Sequence, residues 1–278
     1  MNNAPIGVFD SGVGGLTVVK EILDQLPQEK IIYFGDTARV PYGNKSAETV
    51  VRYSNQIIRF LISKGAKTIV IACNTASAVA LEQAKKEFDI PIIGVVKPGA
   101  KAAAEATHSG KIGVIATEAT IRSEIYSEFL KKTDPDVEVY QKACPLFVPL
   151  VEEGWTKDDP ITEQVAKRYL ADLCDEEIDA LVLGCTHYPL LRNVIQKVVG
   201  AGVTLVNPAV ETARELKYLL EENHLLSSRS ADGSAEGTGP VKHEFYVSDG
   251  AEKFLQLAAR ILPEAVLYSE NINVETFE

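Results

Sequence analysis

Leu181-Val-Leu-Gly-Cys185-Thr-His187-Tyr-Pro189-Leu-Leu-Arg192 is the stretch on which the fold turns. Leu181 to Gly184 are apolar or small, the run expected of a parallel strand buried on both faces. Pro189 suits the first turn of a helix, where its missing N–H leaves no bond unmade. Leu190, Leu191, Val194, Ile195, Val198 and Val199 then give that helix one apolar stripe. Cys185, Thr186 and His187 therefore sit at the carboxyl end of a strand and just ahead of a helix N-terminus. That is the position where open α/β sheets bind ligands and where backbone N–H groups favour an anion.

The arrangement occurs twice. Ile69-Val-Ile-Ala-Cys73-Asn-Thr-Ala-Ser-Ala78 is again an apolar run ending in cysteine, 112 residues before Cys185, and Ala76, Ala80, Ala84 and Phe88 line one side of the following helix. A second echo keeps the same order: Ile6-Gly-Val-Phe-Asp-Ser11 against Ile112-Gly-Val-Ile-Ala-Thr117, offset by 106 residues. Two echoes at similar offsets indicate a duplicated α/β unit. If the units face one another, their strand ends meet and the two thiols flank one cleft.

Strands alternate with helices along the chain, which predicts α/β architecture with parallel sheets. The first unit reads as strands Ile6–Phe9, Ile31–Phe34, Ile69–Ala72 and Ile92–Val95, with helices after Gly12-Val-Gly-Gly15 and from Ser46, and a long loop over residues 35–45. Lys97-Pro98-Gly99 reads as a crossing into the second unit. That unit holds the Ile112 strand, a helix over Glu118–Lys131, a strand over Val137–Tyr140, a helix from Ile161 to Leu173, the Cys185 strand and Val203–Val206. Cys144–Val151 carries two prolines and reads as loop and edge. The remainder gives a helix (Val210–Glu222), a polar surface loop (Ser227–Pro240), a strand (His243–Val247) and a helix (Ala251–Leu262).

The 278 residues suffice for two such units, and 46% hydrophobic with 24% charged residues is ordinary for a globular protein. The net charge of −11 disfavours nucleic acid and anionic membrane surfaces as partners. Any anionic substrate must then be held by local dipoles against the global field. Four cysteines, far apart, do not form a disulfide scaffold and fit a reducing compartment. With no signal-peptide pattern after Met1 and no apolar run near the roughly 18 residues of a membrane helix, the expected location is the cytoplasm.

A lone cysteine at a strand end is ordinarily a small buried hydrophobe; Cys144 and Cys174 lack the duplicated context and are read as structural. Packing gives no reason to repeat a cysteine and threonine ahead of two helices. Two facing thiols can form a disulfide, bind a metal, or act as bases on opposite faces of one carbon. The first does not persist in a reducing compartment. The second finds no strong zinc spacing in Cys185-x-His187 with a distant Cys73. The third is what inverting a stereocentre without a cofactor requires. Asp10 and His187 lie at the same sheet ends and can relay protons, against the plainer alternatives of a turn carboxylate and a core histidine. Gly12-x-Gly14 opens a dinucleotide pattern, but position 17 is threonine where the third glycine belongs.

Phe9-Asp-Ser-Gly-Val-Gly-Gly15, Gly35-Asp-Thr37, Val40-Pro-Tyr-Gly43, Ala72-Cys-Asn-Thr-Ala76, Val151-Glu-Glu-Gly154 and Leu183-Gly-Cys-Thr-His-Tyr-Pro189 together resemble the bacterial glutamate racemase family, in order and over nearly the whole chain. The resemblance implies two facing α/β lobes related by a pseudo-two-fold, residues 1–97 with 208–278 and residues 98–207, with the active site between them. It implies a two-base mechanism with no cofactor and no metal, Cys73 acting on D-glutamate and Cys185 on L-glutamate. Asp10 would assist Cys73 and His187 would assist Cys185, with Asp36 and Glu153 as further acidic participants. Substrate contacts would come from Asp10, Ser11, Pro41, Tyr42, Gly43, Asn74, Thr75, Thr117, Thr120, Thr186 and His187. It further implies D-glutamate supply for peptidoglycan, and so for cell-wall biogenesis and cell shape, and a homodimer. Two departures, Asn207-Pro208-Ala209 for the more usual Asp-Ser-Ala and Ser248-Asp249-Gly250 for Gly-Asp order, fall at lobe junctions or turns. The alternatives are an aspartate racemase, differing in pocket depth, and a non-catalytic amino-acid-binding protein on the same lobes, which would have no use for both thiols.

Overall fold

A computed structural model describes residues 3–228, 241–263 and 268–277. The elements in chain order are β1 (Ile6–Asp10), α1 (Leu16–Gln25), β2 (Ile31–Gly35), α2 (Ala47–Ser63), β3 (Thr68–Ile71), α3 (Asn74–Glu87), β4 (Ile92–Gly94) and α4 (Val96–Ala106). Next come β5 (Lys111–Ala116), α5 (Glu118–Arg122), α6 (Ile125–Thr133), β6 (Glu138–Ala143), α7 (Phe147–Glu152), α8 (Pro160–Asp175), β7 (Ala180–Gly184) and α9 (Arg192–Val199). The chain closes with β8 (Thr204–Val206), α10 (Pro208–Glu222), β9 (Glu244–Val247), α11 (Ala251–Ile261) and β10 (Glu270–Asn271).

All strand pairs are parallel, in two sheets of order β10-β9-β2-β1-β3-β4 and β6-β5-β7-β8. Setting β9 and β10 aside, the orders correspond strand for strand: β2-β1-β3-β4 against β6-β5-β7-β8. The duplication read from the cysteine motifs is thus a duplication of topology. Every residue of β1, β2, β3 and β7 is buried, because helices cover both sheet faces. One core lies between the first sheet and α1, α10 and α11, a second between that sheet and α2 and α3. The second sheet has its own pair, against α7, α8 and α9 on one face and α4 and α6 on the other. The C-terminal segment returns to the first sheet: β9 pairs with β2, and Phe254 of α11 stacks on Tyr33 of β2 at 6.0 Å.

The helix starts follow local chemistry. Ser46 caps α2 through Thr49 N–H, Asp159 caps α8 ahead of Pro160, and Asn207 caps α10 ahead of Pro208. Four local readings are corrected. Lys97-Pro98-Gly99 opens α4, since a proline in the first turn has no intrahelical N–H to lose. The expected helix over Glu118–Lys131 breaks into α5 and α6 at Glu124, whose φ is +55°. Pro189 sits in a 3-10 turn (Tyr188–Leu191) that precedes α9. Cys144–Val151 is not edge strand; β6 ends at Ala143, and Phe147–Glu152 forms α7 because Phe147, Leu150 and Val151 share one buried face. Of the expected polar loop, residues 229–240 lie outside the described residues. No helix among the described residues is long and apolar enough to cross a membrane.

Candidate active site

The carboxyl ends of the two sheets meet. At one junction the β1 end touches the β7 end: Thr186 Oγ1 donates to Asp10 Oδ1 at 3.5 Å, and the Thr17 hydroxyl sits 2.9 Å from Gly14 O and 3.0 Å from Thr186 O. At the other the β3 end touches the β5 end. Thr75, Thr117 and Thr120 form a triangle of hydroxyls with sides of 2.9, 3.2 and 3.1 Å, and Tyr126 Oη donates to Asn74 Oδ1 at 2.6 Å. Because β1 corresponds to β5 and β3 to β7, a two-fold exchange of the sheets turns one junction into the other.

Cys73 follows β3 and occupies the cap position of α3, with its Sγ 3.5 Å from Ala76 N and 3.8 Å from Ser11 Oγ. Burial, then the nearby Asp10 carboxylate, push its thiol up to about 12. That shift favours the neutral thiol. Cys185 follows β7 and places its Sγ 3.9 Å from His187 Nδ1. The two sulfurs lie within electrostatic reach of one another, since charge on Cys185 also raises Cys73. Both side chains are buried.

His187 is nearly inaccessible. Burial opposes its charge, but contacts with Cys185 Sγ and with Glu152, together with the field of Asp10, outweigh burial and raise it to about 10. Its Nε2 lies 3.2 Å from Glu152 Oε1, and that hydrogen bond is the main reason the Glu152 carboxyl is lowered. An imidazolium donating from both ring nitrogens fits this geometry. Asp10 is fully buried at the end of β1. Desolvation raises its carboxyl, opposed by His187 and by the N–H groups of Gly12, Gly15 and Ser11. Gly14 lies between the two ends: a Cβ there would stand 2.3 Å from Thr186 Oγ1 and 2.6 Å from the His187 ring.

The acidic residue in contact with His187 is therefore Glu152. Glu153, expected in the site, is exposed at the end of α7. Adjacent helical residues point about 100° apart, so only one of the pair can face the cleft; the sequence offered no means to choose between two neighbouring glutamates. Asp36 ends up enclosed by Arg39, Tyr42 and Ser248. Tyr42 is buried, with its hydroxyl raised well above the usual phenol range by burial, by Asp36 and by the field of Cys73. Pro41 and Gly43 line a cavity of about 340 Å³ with Thr117, Glu118, Pro149 and Glu152 at the mouth of the cleft. Gly43 abuts Thr117, where a Cβ would come within 3.0 Å. Tyr126 fixes the Asn74 amide, and nothing in its local sequence marks that long-range bond. Among the described residues no group of three or more His, Cys, Asp and Glu converges as metal ligands.

Residues 6–216 match the family model described as Asp/Glu/Hydantoin racemase. A curated glutamate racemase of Geobacter metallireducens is 52% identical over 257 residues, 92% of this chain and 92% of its own. The crystal structure of glutamate racemase isoform RacE1 from Bacillus anthracis superposes with a TM-score of 0.91 at 40% identity, covering 98% of each chain. That of glutamate racemase from Francisella tularensis, in complex with D-glutamate, gives a TM-score of 0.89 at 40% identity over 100% of both chains.

Proposed function

The chain belongs to the Asp/Glu/hydantoin racemase family and is an isomerase, and from that premise we propose that it interconverts L- and D-glutamate through Cys73 and Cys185. The observation that carries this reading is a pair of buried thiols at duplicated strand ends, Cys73 within the field of Cys185 and each beside its own proton-handling partner.

In the L-to-D direction the Cys185 sulfur, as thiolate, takes the α-proton from one face of the substrate. The electron pair left on Cα takes a proton from the Cys73 thiol on the opposite face. D-glutamate leaves with Cys185 as thiol and Cys73 as thiolate; the reverse reaction starts from that form. His187 passes protons to and from Cys185, held by Glu152 at its far nitrogen, while Asp10 sets the field at Cys73. Loss of the α-proton builds charge on the α-carboxylate. The first-turn N–H groups of α3, at Asn74 and Thr75, with the backbone N–H of Thr186, stabilise that charge as it forms. They also answer the unfavourable net charge of −11. Ser11, the Pro41-Tyr42-Gly43 loop, Thr117 and Thr120 complete the substrate shell, and closure excludes water from the reacting centre. No cofactor enters this scheme.

Glutamate is preferred over aspartate because the closely similar relatives are glutamate racemases. We keep the lobe division at 97/98 and 207/208, and read the protein as a cytoplasmic homodimer supplying D-glutamate for peptidoglycan. The test is incubation of L- or D-glutamate in D₂O with the protein alone. α-Deuterium incorporation with inversion is expected from either enantiomer, and its absence with well-folded protein overturns the reading. Cys73→Ala and Cys185→Ala should each abolish inversion, by at least about 10³-fold; full retention in either removes the two-base scheme.

A further inference from the structure

The side chain of Asp36 is fully buried at the end of β2, and its carboxylate has no free edge. Oδ1 accepts from Arg39 Nε at 3.0 Å and from Ser248 Oγ at 2.8 Å; Oδ2 accepts from Arg39 Nε at 2.8 Å and from the Tyr42 hydroxyl. A carboxylate offers about four lone-pair positions, and here three donor hydrogens, the shared Arg39 Nε–H and the Ser248 and Tyr42 hydroxyls, engage both of its oxygens. Each partner is tied in turn. Arg39 donates to Gln56 Oε1 at 2.6 Å and lies 3.9 Å over the Tyr53 ring of α2. Ser248 Oγ accepts from Ala38 N at 2.8 Å, and Thr37 exchanges hydrogen bonds with the Asp249 backbone. Residues 36–43 are thereby fastened to α2 on one side and to the turn between β9 and α11 on the other.

This enclosure conflicts with a proton-transfer role for Asp36 and fits a different one. We propose that Asp36 is a positioning residue: it takes no proton from substrate, and instead holds Tyr42 and Gly43 at the cleft by anchoring the loop to α2 and to Ser248. Through Gly43 the loop abuts Thr117 of the second lobe, and it lines the mouth of the cleft, so its position controls how substrate is held rather than how its proton moves. The consequence for catalysis rests on the racemase reading above; the anchoring itself does not.

The test uses Asp36→Asn, Ser248→Ala and Tyr42→Phe in the full chain. Ser248→Ala removes one neutral donor and keeps every charge, so it guards against failure of Asp36→Asn to fold. In steady-state racemisation each variant should raise KM, by about tenfold for Asp36→Asn and less for Ser248→Ala, with kcat within about threefold of the parent. The pH profile of kcat should not move. Amide hydrogen–deuterium exchange should rise across residues 37–45 in Asp36→Asn and Ser248→Ala, a readout independent of activity. Collapse of kcat or loss of one limb of its pH profile would make Asp36 an acid or base and overturn the proposal. Unchanged exchange in that loop would overturn it as well. A parent protein that does not racemise glutamate, yet whose loop loosens in these variants, overturns the racemase reading alone.

Discussion

Gly14→Ala isolates what the meeting of the two sheets contributes to chemistry. The added methyl carbon would lie 2.3 Å from Thr186 Oγ1 and 2.6 Å from Cε1 and Nδ1 of His187, where ordinary contact begins at 3.4 Å. Neither neighbour is the free end of a flexible chain: Thr186 bonds Asp10, and its carbonyl is held by Thr17, while His187 is fixed between Cys185 and Glu152. Relief therefore needs a displacement of about 1 Å at the β1–β7 junction. A misplacement of that size at a reacting centre costs about 10²-fold in rate, whereas the overpacking costs about 1–3 kcal/mol in stability, which leaves the protein folded at 25 °C. The assay is racemisation of both enantiomers by circular dichroism, with thermal unfolding alongside. Since one equilibrium constant governs both directions, kcat/KM should fall about 10²-fold in each. Gly202→Ala, with no atom within 4 Å of the new carbon, serves as the silent control. Parental rates in a folded Gly14→Ala protein would refute the claim that His187 must sit where it does.

His187 is raised to about 10 from an ordinary 6.5, so the stability its protonation contributes is whole below about pH 6.5 and is lost as pH rises through 10. The urea midpoint should fall over that interval, and Glu152→Gln should shrink the fall; a midpoint indifferent to pH in the parent contradicts the charged His187. Asp10 is raised chiefly by burial, so Asp10→Asn should be more stable than the parent at pH 8 while losing about 10²-fold in kcat. Lower stability with full activity would reverse the assignment. At the far end of the first sheet, Lys67 Nζ bonds Glu29 at 2.6 Å with both side chains at most 1% exposed, and Glu29 also accepts from Ser227 N. Glu29→Gln should destabilise by about 3–5 kcal/mol on denaturant titration, with the specific activity of the folded protein unchanged.

The paired echoes Cys73 and Cys185, and Ile6–Ser11 and Ile112–Thr117, carry the parallel α/β class and the correspondence of the two sheets, because strand periodicity and strand-end chemistry are local properties of a chain. The same local logic placed Asp10 and His187 beside the thiols. It failed wherever a decision needed a partner distant in sequence. Whether Glu152 or Glu153 meets His187 depends on how α7 is rotated against the second core, and Pro145 just before the helix with Pro149 in its first turn hid even the helix. Locally Asp36 is one more acid of the site; Arg39, Tyr42 and Ser248, the last 212 residues away, engage both oxygens of its carboxylate. The cross-pairing of β1 with β7 and of β3 with β5, the hydroxyl triangle of Thr75, Thr117 and Thr120, and the bond from Tyr126 to Asn74 arise only when two lobes close. Sequence alone determines which residues stand at the strand ends; tertiary structure decides which of them face each other, because side-chain direction and desolvation follow from packing between segments that no local pattern connects.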